Sequence, residues 1–279
     1  MKTLLALSLA VACGAACAQT PATNPMPDGS RDMYVGLGVV VAPDYPGARE
    51  KRVNALPLLQ LEWSNGMFLS GMSAGMHLSR RPDLEFGPLL ALDPGRDQDG
   101  SGNKVGGATP VQSFLAGREA RVGQGLEGLR DVHARLQLGA FANLYLTPSL
   151  RLSNSFLYGA GHERNGVVWN LGLQHISDGL SPRHRFAVSA GINLVNRNYN
   201  ASYFGVTAEE SVLSGYSAYA PNGGLRDIYV GAGWNWALSP SWMIASTARV
   251  TRLRGDARHS PLVERPANFS ISSGLVFRF

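Results

Sequence analysis

The stretch FSISSGLVFRF, residues 269–279, decides the class of fold predicted for this chain. One face of an extended strand would carry Phe269, Ile271, Leu275, Phe277 and Phe279. The opposite face would carry Ser270, Ser272, Gly274, Val276 and Arg278. Because side chains alternate between the two faces of a strand, one face is apolar and the other largely polar. In a transmembrane barrel the apolar face contacts lipid and closure removes the open edges. Leu275, Phe277 and Phe279 are therefore predicted to form the signal for barrel insertion.

Segments with the same period of two recur along the rest of the chain. The clearest of them cover residues 34–41, 132–145, 185–194 and 227–236. They are about as long as a tilted membrane strand has to be. After residue 18 the sequence contains no run of about 18 apolar residues, which a membrane-spanning helix would need. The sequence therefore predicts an all-β fold, namely a single antiparallel transmembrane β-barrel.

The pattern predicts twelve strands. They are expected near residues 33–42, 53–64, 66–79, 83–92, 111–122, 129–146, 148–160, 165–177, 183–197, 225–238, 240–254 and 267–279. Tight turns at 64–66, 147–149 and 239–241 are expected on one rim, and longer loops on the other, as in outer-membrane barrels. The segment 93–128 is the least regular. If 111–122 is a loop, ten strands is the alternative, because a single-chain barrel needs an even number.

The beginning of the chain has the features of a secretory signal peptide. Lys2 supplies the positive start, an apolar stretch follows, and Ala16 and Ala18 form a small-x-small cleavage site. We therefore expect residues 1–18 to be removed, residues 19–32 to form a flexible periplasmic stub, and residues 33–279 to form the barrel. Lipoprotein processing at Cys13 or Cys17 is a weaker alternative, since the residues before each cysteine lack a leucine.

Composition excludes several classes of function. Both cysteines lie in the predicted signal peptide, so neither a disulfide nor thiol chemistry is expected in the mature chain. The formal net charge of +5 is mild, and no nucleic-acid partner is predicted. The 33 glycines and 16% charged residues differ from the composition of an ordinary soluble enzyme. No cofactor is predicted, and the expected location is the outer membrane of a Gram-negative bacterium. Its lipid, its lipopolysaccharide and the barrel-assembly machinery are the expected partners.

Several short motifs together resemble the MipA/OmpV family of outer-membrane proteins. They are APDYPG at 42–47, GRD at 95–97, YFGVT at 203–207, Leu253 with GDA at 255–257 and SP at 260–261, and the terminal LVFRF at 275–279. The resemblance extends over residues 34–279, and the segment 100–128 looks longer than the family pattern. It implies a barrel fold and, by analogy with one member, a scaffold that joins a murein lytic transglycosylase to a penicillin-binding protein. Other members imply adhesion, osmotic response or small-solute passage. The family has no agreed catalytic residues, so the resemblance implies none here.

The loop 198–224 is long and aromatic. Thr207 with Glu210 three residues later forms a capping box, which predicts a short helix inside the loop. The sequence leaves open whether this loop folds into the lumen as a plug or stands out as a binding surface.

An enzymatic alternative rests on residues 174–179, QHISDG, which are similar to the His-x-Ser motif of outer-membrane lipid hydrolases. His175 and Ser177 share a strand face, so His175 would be the base for a Ser177 nucleophile. The sequence offers no clear third group, and the predicted topology places the pair at the periplasmic rim. A polar strand end that runs into a Ser-Asp-Gly turn is the favoured interpretation, and the chain is predicted not to be an enzyme.

Two further motifs have simpler structural explanations. Asp97, Asp99 and Ser101 match the first half of a calcium-binding loop, but Ala108 stands where the closing acid is needed. A solvated Asp/Gly loop is therefore favoured over a metal site. The tripeptide at 254–256 spells an integrin-binding motif, but its place among the family motifs favours a turn.

Five arginines are predicted to line the lumen. They are Arg135, Arg151, Arg185, Arg249 and Arg278. Facing acids are fewer, with Asp227 the clearest. A basic lumen would favour anions if water passes, whereas the alternative is that these arginines pair with neighbours and fill a narrow barrel. A scaffold for murein enzymes is the leading functional hypothesis, and a narrow anion-leaning porin or an osmotic-response or adhesion protein is the alternative.

Overall fold

The computed structural model describes residues 33–79, 81–98, 100–101, 125–178, 181 and 183–279. Within these residues, twelve antiparallel strands form a closed barrel, which confirms the predicted fold class and strand number. The barrel strands are β1 (Tyr34–Pro43), β2 (Lys51–Glu62), β3 (Met67–Ser70), β4 (Ser73–Met76), β5 (Leu84–Asp93), β8 (Arg135–Thr147), β9 (Leu150–Ala160), β10 (Gly166–Asp178), β11 (His184–Val195), β12 (Gly224–Ala237), β13 (Trp242–Leu253) and β14 (Ala267–Arg278).

The remaining elements lie in the loops. β6 (Arg96–Asp97) and β7 (Gly100–Ser101) form a separate two-stranded sheet. The helices of the described residues are α1 (Arg197–Phe204), α2 (Ala208–Ser214) and α3 (Gly255–His259). None of these helices is long and apolar enough to cross a membrane. The predicted signal peptide 1–18, the stub 19–32 and the predicted strand 111–122 lie outside the described residues.

One predicted strand is wrong. Residues 66–79 form the two short strands β3 and β4, joined by a turn at Gly71 and Met72. The φ angle of Gly71 is +56°, a left-handed conformation that glycine adopts without a steric penalty. The apolar alternation continues across this turn, so the period of two did not reveal it. The twelve described barrel strands thus include a hairpin where a single strand was expected, and β5 pairs directly with β8 where the prediction placed a further strand between them.

Side chains alternate along the strands as the lipid and the lumen require. On β8, Leu136 and Leu138 are exposed on the outer face, whereas Gln137, Phe141 and Asn143 are buried inside the barrel. The first and last strands close the barrel in a register that runs from Tyr34 opposite Arg278 to Val41 opposite Ile271. The predicted last strand thus forms half of the closing seam.

Aromatic rings gather at the rim with the tight turns. Trp242 packs edge-on against Phe277 with ring centroids 5.1 Å apart, and Trp234 stacks on Trp236 at 5.9 Å. Rings of this kind anchor barrels at the membrane interface. In outer-membrane barrels the short turns face the periplasm, so we refer to this end as the periplasmic rim and to the opposite end as the extracellular end.

The β3–β4 hairpin is the least extensively paired part of the wall. Among the described residues, β2 pairs with β3 only from Gln60 to Glu62, and β4 pairs with β5 only from Ser73 to Gly75. The tip is fixed by Gly71 N donating to Leu59 O (2.8 Å) and by Leu92 N donating to Met72 O (2.9 Å).

Both strands beside the hairpin carry a proline that faces it. Backbone groups of a strand point alternately to its two edges. The backbone groups of Leu59 point to the hairpin, and so do those of Pro57, two residues earlier on the same strand. The backbone groups of Leu92 also point to the hairpin, and so do those of Pro88, four residues earlier. Proline lacks an N–H and is confined to such weakly paired edges. The prolines thus limit how far β3 and β4 can extend their pairing.

Candidate functional site

The extracellular loops fold over the barrel end and form a cap, which we define as α1, α2, α3 and the loop residues packed against them. Local sequence starts each of the first two helices. The side chain of Asn196 accepts a hydrogen bond from Tyr199 N (3.0 Å) at the start of α1. At the start of α2, Thr207 Oγ1 accepts from Glu210 N (3.2 Å), and Glu210 Oε2 accepts from Thr207 N (2.9 Å). The predicted capping box is confirmed.

Two apolar clusters hold the cap together. The first consists of Val132, Ala160, Val195, Tyr199, Tyr203, Phe204, Leu253 and Ala257. The second consists of Tyr45, Ala48, Leu126, Leu129, Val206 and Leu262. Phe204 is only 2% exposed, and burial of such a ring contributes about 1.5–3 kcal/mol. The residues come from five separate loops and strand ends, so the cap is a packed structure over the lumen.

Arg96 connects three parts of the cap. Its side chain is 4% exposed, and its Nη1 donates to the backbone oxygen of Tyr203 (3.1 Å). Its backbone N–H donates to Val132 O and its carbonyl accepts from Val132 N (2.8 and 2.7 Å). Burial lowers the pKa of the guanidinium, and the nearby Glu210 carboxylate opposes that shift. A buried charge of this kind is costly to leave without its partners.

Glu210 is the matching anion. Burial raises the pKa of its carboxyl, but hydrogen bonds from the backbone N–H groups of Thr207 and Arg130, with the charge of Arg130, outweigh burial, so the pKa is lowered. Arg130 N donates to Glu210 Oε1 (3.0 Å), and Arg130 Nε lies 3.5 Å from the same oxygen. Glu210 therefore fastens the loop before β8 to the start of α2.

Two tyrosines of α1 point down from the cap to the lumen. Tyr203 Oη donates to Asp93 Oδ2 (2.6 Å), and Arg226 Nη1 donates to Tyr199 Oη (2.7 Å). Their rings stack with centroids 4.6 Å apart. Burial raises the pKa of both hydroxyl groups, so both remain protonated. The loop 198–224 thus lies across the extracellular opening of the barrel.

The tripeptide at 254–256 has a structural role. Arg254 is the residue before α3, and Asp256 lies in the first turn of that helix. Asp256 Oδ2 accepts hydrogen bonds from Asn222 N (2.8 Å) and Asn222 Nδ2 (3.1 Å), and the Asp256 carbonyl accepts from Tyr219 Oη (2.9 Å). These bonds tie α3 to the loop after α2.

Directly below the cap lies a cavity of about 410 Å³, which we call the upper chamber. Its wall contains Asp93, Asn193, Tyr199, Tyr203, Arg226, Asp227, Arg249, Thr251 and Ser270. Asp227 is 1% exposed; it accepts from Asn193 Nδ2 (2.7 Å) and forms an ion pair with Arg226. The sequence predicted Asp227 as the clearest acid on a lumen face, but it did not predict the ion pair with Arg226.

A second cavity of about 510 Å³, the lower chamber, lies nearer the periplasmic rim. Glu62, His77, Glu85, Asn143 and Arg151 are in its wall, and Asn143 Nδ2 donates to Glu85 Oε2 (3.1 Å). Sequence reasoning missed both glutamates as lumen residues. The alternation of β5, where buried Glu85 and Gly87 flank exposed Phe86, was a signal that would have identified Glu85.

The five predicted arginines are spread over the height of the barrel. By strand alternation each shares a face with inward side chains: Arg135 near the extracellular end, Arg249 within the wall, and Arg151, Arg185 and Arg278 near the periplasmic rim. Arg151 is 1% exposed and its Nη2 donates to Gln174 Oε1 (2.6 Å). The structure therefore distributes these charges and does not gather them in one cluster.

The candidate hydrolase pair lies on the outer face of β10. His175 and Ser177 are both exposed there, close to the periplasmic end of the strand. Their cross-strand neighbours are Leu150 and Val188 for His175, and Phe186 for Ser177. These neighbours are apolar, so they offer no acid as a third group of a catalytic triad.

The candidate calcium residues are only partly described. Asp97 belongs to β6, Asp99 lies outside the described residues, and nothing is described of the Ser101 side chain. Where the structure does describe the chain, no group of His, Cys, Asp and Glu side chains is arranged to hold a metal ion.

A closed antiparallel barrel with an apolar outer face, an aromatic periplasmic rim and capping loops defines an outer-membrane β-barrel protein. The chain belongs to the MipA family, because the family model described as "MltA-interacting protein MipA" matches residues 35–279. The sequence-based resemblance is thereby confirmed.

Named relatives agree with this membership. The chain is 29% identical over 117 residues to the MltA-interacting protein of Escherichia coli (strain K12), a match that covers 41% of this chain and 45% of that protein. It is 26% identical over 155 residues to the outer membrane protein OmpV of Vibrio cholerae, covering 55% of this chain and 58% of OmpV. The chain thus spans about half the length of the curated relatives it matches.

Solved structures with a similar backbone include other membrane barrels. The NanC porin aligns with a TM-score of 0.46 at 8% identity, covering 88% of this chain and all of the porin. The toluene transporter TodX of Pseudomonas putida aligns with a TM-score of 0.34 at 12% identity, covering 92% of each chain.

Proposed function

We propose that this protein is an outer-membrane scaffold that presents its periplasmic rim to murein-remodelling enzymes, with a lytic transglycosylase as the first partner and a penicillin-binding protein as the second. The observation that carries the proposal is the difference between the two barrel ends. The extracellular end is covered by a packed cap whose charged groups bind each other. The name of the Escherichia coli relative, MltA-interacting protein, supports a protein partner.

The periplasmic rim offers the simplest surface for such a partner. Its turns are short, and the turn before β13 is stiffened by Ser239 Oγ, which accepts from Trp242 N (3.0 Å). Short rigid turns present a fixed surface at little cost in conformational entropy. The aromatic rings of Trp234, Trp236 and Trp242 hold the rim at the membrane surface, where murein enzymes work on the periplasmic side.

A binding experiment with matched variants tests the scaffold. The tagged, folded barrel is incubated with the purified lytic transglycosylase and penicillin-binding protein of the same bacterium, and the retained fraction of each is measured. In one variant the turn at 239–241 is replaced by a Gly-Asn-Gly turn, and in a second the stub 19–32 is deleted. We expect at least one of them to lose about tenfold in affinity for the transglycosylase.

The control lies on the opposite end. Val212 and Leu213 of α2 are 85% and 74% exposed, so replacing both with Ser changes the extracellular surface without opening the cap. This variant should bind as the unchanged barrel does. Equal binding by all variants, or no binding by the unchanged barrel, would remove the periplasmic scaffold from consideration.

A narrow anion-leaning porin is the second candidate. The two chambers of the lumen favour it, because they provide open space, lined in part by polar side chains, both below the cap and nearer the periplasmic rim. The acids Glu62 and Glu85 in the lower chamber weigh against a strong anion preference. Single-channel recording in a planar bilayer distinguishes the two functions. A pore should give discrete conductance steps, and its reversal potential should shift when Arg135 and Arg249 are changed to Ser. A folded barrel that gives no conductance supports the scaffold.

A further inference from the structure

We propose that the upper chamber is a binding site for a small hydroxylated oxyanion, of the size of a monosaccharide with one carboxylate or phosphate group, and that Arg249 is the residue that binds its charge. The proposed function assigns no ligand to this chamber, and the site lies away from the periplasmic rim. Ligand binding in this chamber can therefore be tested separately from the scaffold function.

Arg249 is held in place by an aromatic ring. Its guanidinium carbon lies 3.6 Å from the centroid of the Tyr229 ring, and Tyr229 is itself buried, with Tyr229 Oη accepting from Asn170 Nδ2 (3.3 Å). A guanidinium stacked on an aromatic face can still form a bidentate hydrogen bond to a carboxylate or phosphate through the N–H groups at its edge. Tyr229 thus orients the group and leaves N–H groups of the five-donor guanidinium for a ligand.

The other charges of the chamber already have partners. Arg226 and Asp227 form an ion pair, and Asp227 also accepts from Asn193. Asp93 accepts from Gly95 N (3.0 Å), Gln137 Nε2 (3.0 Å) and Tyr203 Oη (2.6 Å). For Arg249, by contrast, the described residues provide no carboxylate within ion-pair distance, although it remains solvent-accessible. A mobile anion is the partner that this cation lacks.

Part of the remaining wall suits hydroxyl groups, and Pro43, Pro94 and Leu253 form an apolar part. Thr251 and Ser270 line the chamber, and neither hydroxyl forms a hydrogen bond to the described residues. A volume of about 410 Å³ lies at the small end of the range for small-molecule sites, which is about 300–1,000 Å³. The chamber therefore fits one sugar-sized solute, which has hydroxyl groups and an apolar ring face, better than a long ligand.

The position of Arg249 also favours retention over passage. Thr247, Arg249 and Thr251 are successive inward residues of β13; Thr247 lines the lower chamber and the other two line the upper one. Below this boundary the lower chamber has two acids in its wall, Glu62 and Glu85, against one arginine, Arg151, so it is less favourable for an anion. Of the two chambers formed by the described residues, the upper one thus offers the more attractive position for an oxyanion, at its floor.

Calorimetric titration of the full, folded barrel in detergent tests this site. The probes are glucuronate for the carboxylate, glucose 6-phosphate for the phosphate, and glucose as the neutral control. We expect one or both anions to bind and glucose to bind at least tenfold more weakly; the tighter anion identifies the class. In Arg249→Gln the affinity for the anion should fall by about tenfold or more, because a charge-assisted pair is lost.

Two further variants separate binding from folding. Arg252→Gln removes an arginine from the same strand on the opposite face and should bind as the unchanged barrel does. Arg249→Lys keeps the charge but loses the planar fork, so its affinity should lie between those of the unchanged barrel and Arg249→Gln. Heat-modifiable migration on gels reports folding. If Arg249→Gln fails to fold, the affinity of Arg249→Lys for the anion tests the proposal instead. The proposal is overturned if glucose and glucuronate bind equally or if neither anion binds. It is also overturned if a folded Arg249 variant keeps the affinity of the unchanged barrel.

Discussion

The two ends of this barrel reach stability by different physical routes. At the extracellular end, buried arginine, glutamate and tyrosine side chains bind across long loops, and Phe204 and Leu253 fill the space between them. At the periplasmic rim, tight turns and stacked rings suffice, because the membrane interface itself holds the aromatic residues. The comparison teaches that the cap depends on tertiary contacts, which single substitutions can remove, whereas the rim depends on the bilayer.

The largest effect should follow Phe204→Ala. Removal of a fully buried ring leaves a cavity in the first cluster, at a cost of about 3–5 kcal/mol to the stability of the cap. Limited proteolysis should then cut the loop between β11 and β12 much faster, while the barrel keeps its heat-modifiable migration. Phe269→Ala, which removes a ring from the outer face of β14, is the control and should leave the cap resistant. Equal protease resistance of the two variants would contradict a cap held by tertiary packing.

A smaller loss is expected for Tyr203→Phe. This change removes the donor to Asp93 Oδ2 but keeps the ring stacked on Tyr199. A hydrogen bond to a charged acceptor contributes about 1.5–3 kcal/mol. Hydrogen–deuterium exchange of α1 amides should rise accordingly, whereas amides of the 239–241 turn should not change. Exchange that rises equally at both ends would show that the barrel, and not the cap, had been weakened.

Thr207→Ala should have a milder effect. The substitution removes half of the capping box, which is worth about 1 kcal/mol. Exchange at α2 should increase by roughly fivefold, and Thr207→Ser should restore the protection because Ser retains the hydroxyl group. A Ser variant that behaves like Ala would contradict the role assigned to this hydroxyl.

The smallest effect is a dependence of the cap on pH. Burial, with the nearby charge of Arg130, lowers the pKa of His162 below its ordinary value of 6.5. The unfolded cap would therefore bind the proton more readily, so stability is fully present above pH 6.5 and declines as the pH falls toward the lower value of the folded state. Protease resistance of the cap measured from pH 7.5 to 5.5 should decrease, and His162→Gln should flatten that decrease. An equally steep decrease in the variant would assign the titration to another group.

The sequence predicted what local patterns encode. The alternation of FSISSGLVFRF and the Thr207–Glu210 capping box depend on neighbours in the chain, and both are present in the structure. The burial of Arg96 depends on Tyr203, which lies 107 residues away, so no local pattern indicated it. The hairpin at Gly71 was missed because the apolar alternation continues across the turn. Likewise, the unpaired charge of Arg249 becomes evident only when the partners of Arg226, Asp227 and Asp93 are known.

The β3–β4 hairpin gives the wall an elastic weak point. Elsewhere long strands such as β12 and β13 pair along most of their length, whereas Pro57 and Pro88 limit pairing on either side of the hairpin. A change in bilayer thickness or lateral pressure strains a barrel all round, and the strain is relieved where the fewest hydrogen bonds resist it. We therefore expect amides of residues 67–76 to exchange faster in thin than in thick bilayers while those of β13 change little. Equal responses of both segments would show that the barrel deforms as a uniform cylinder.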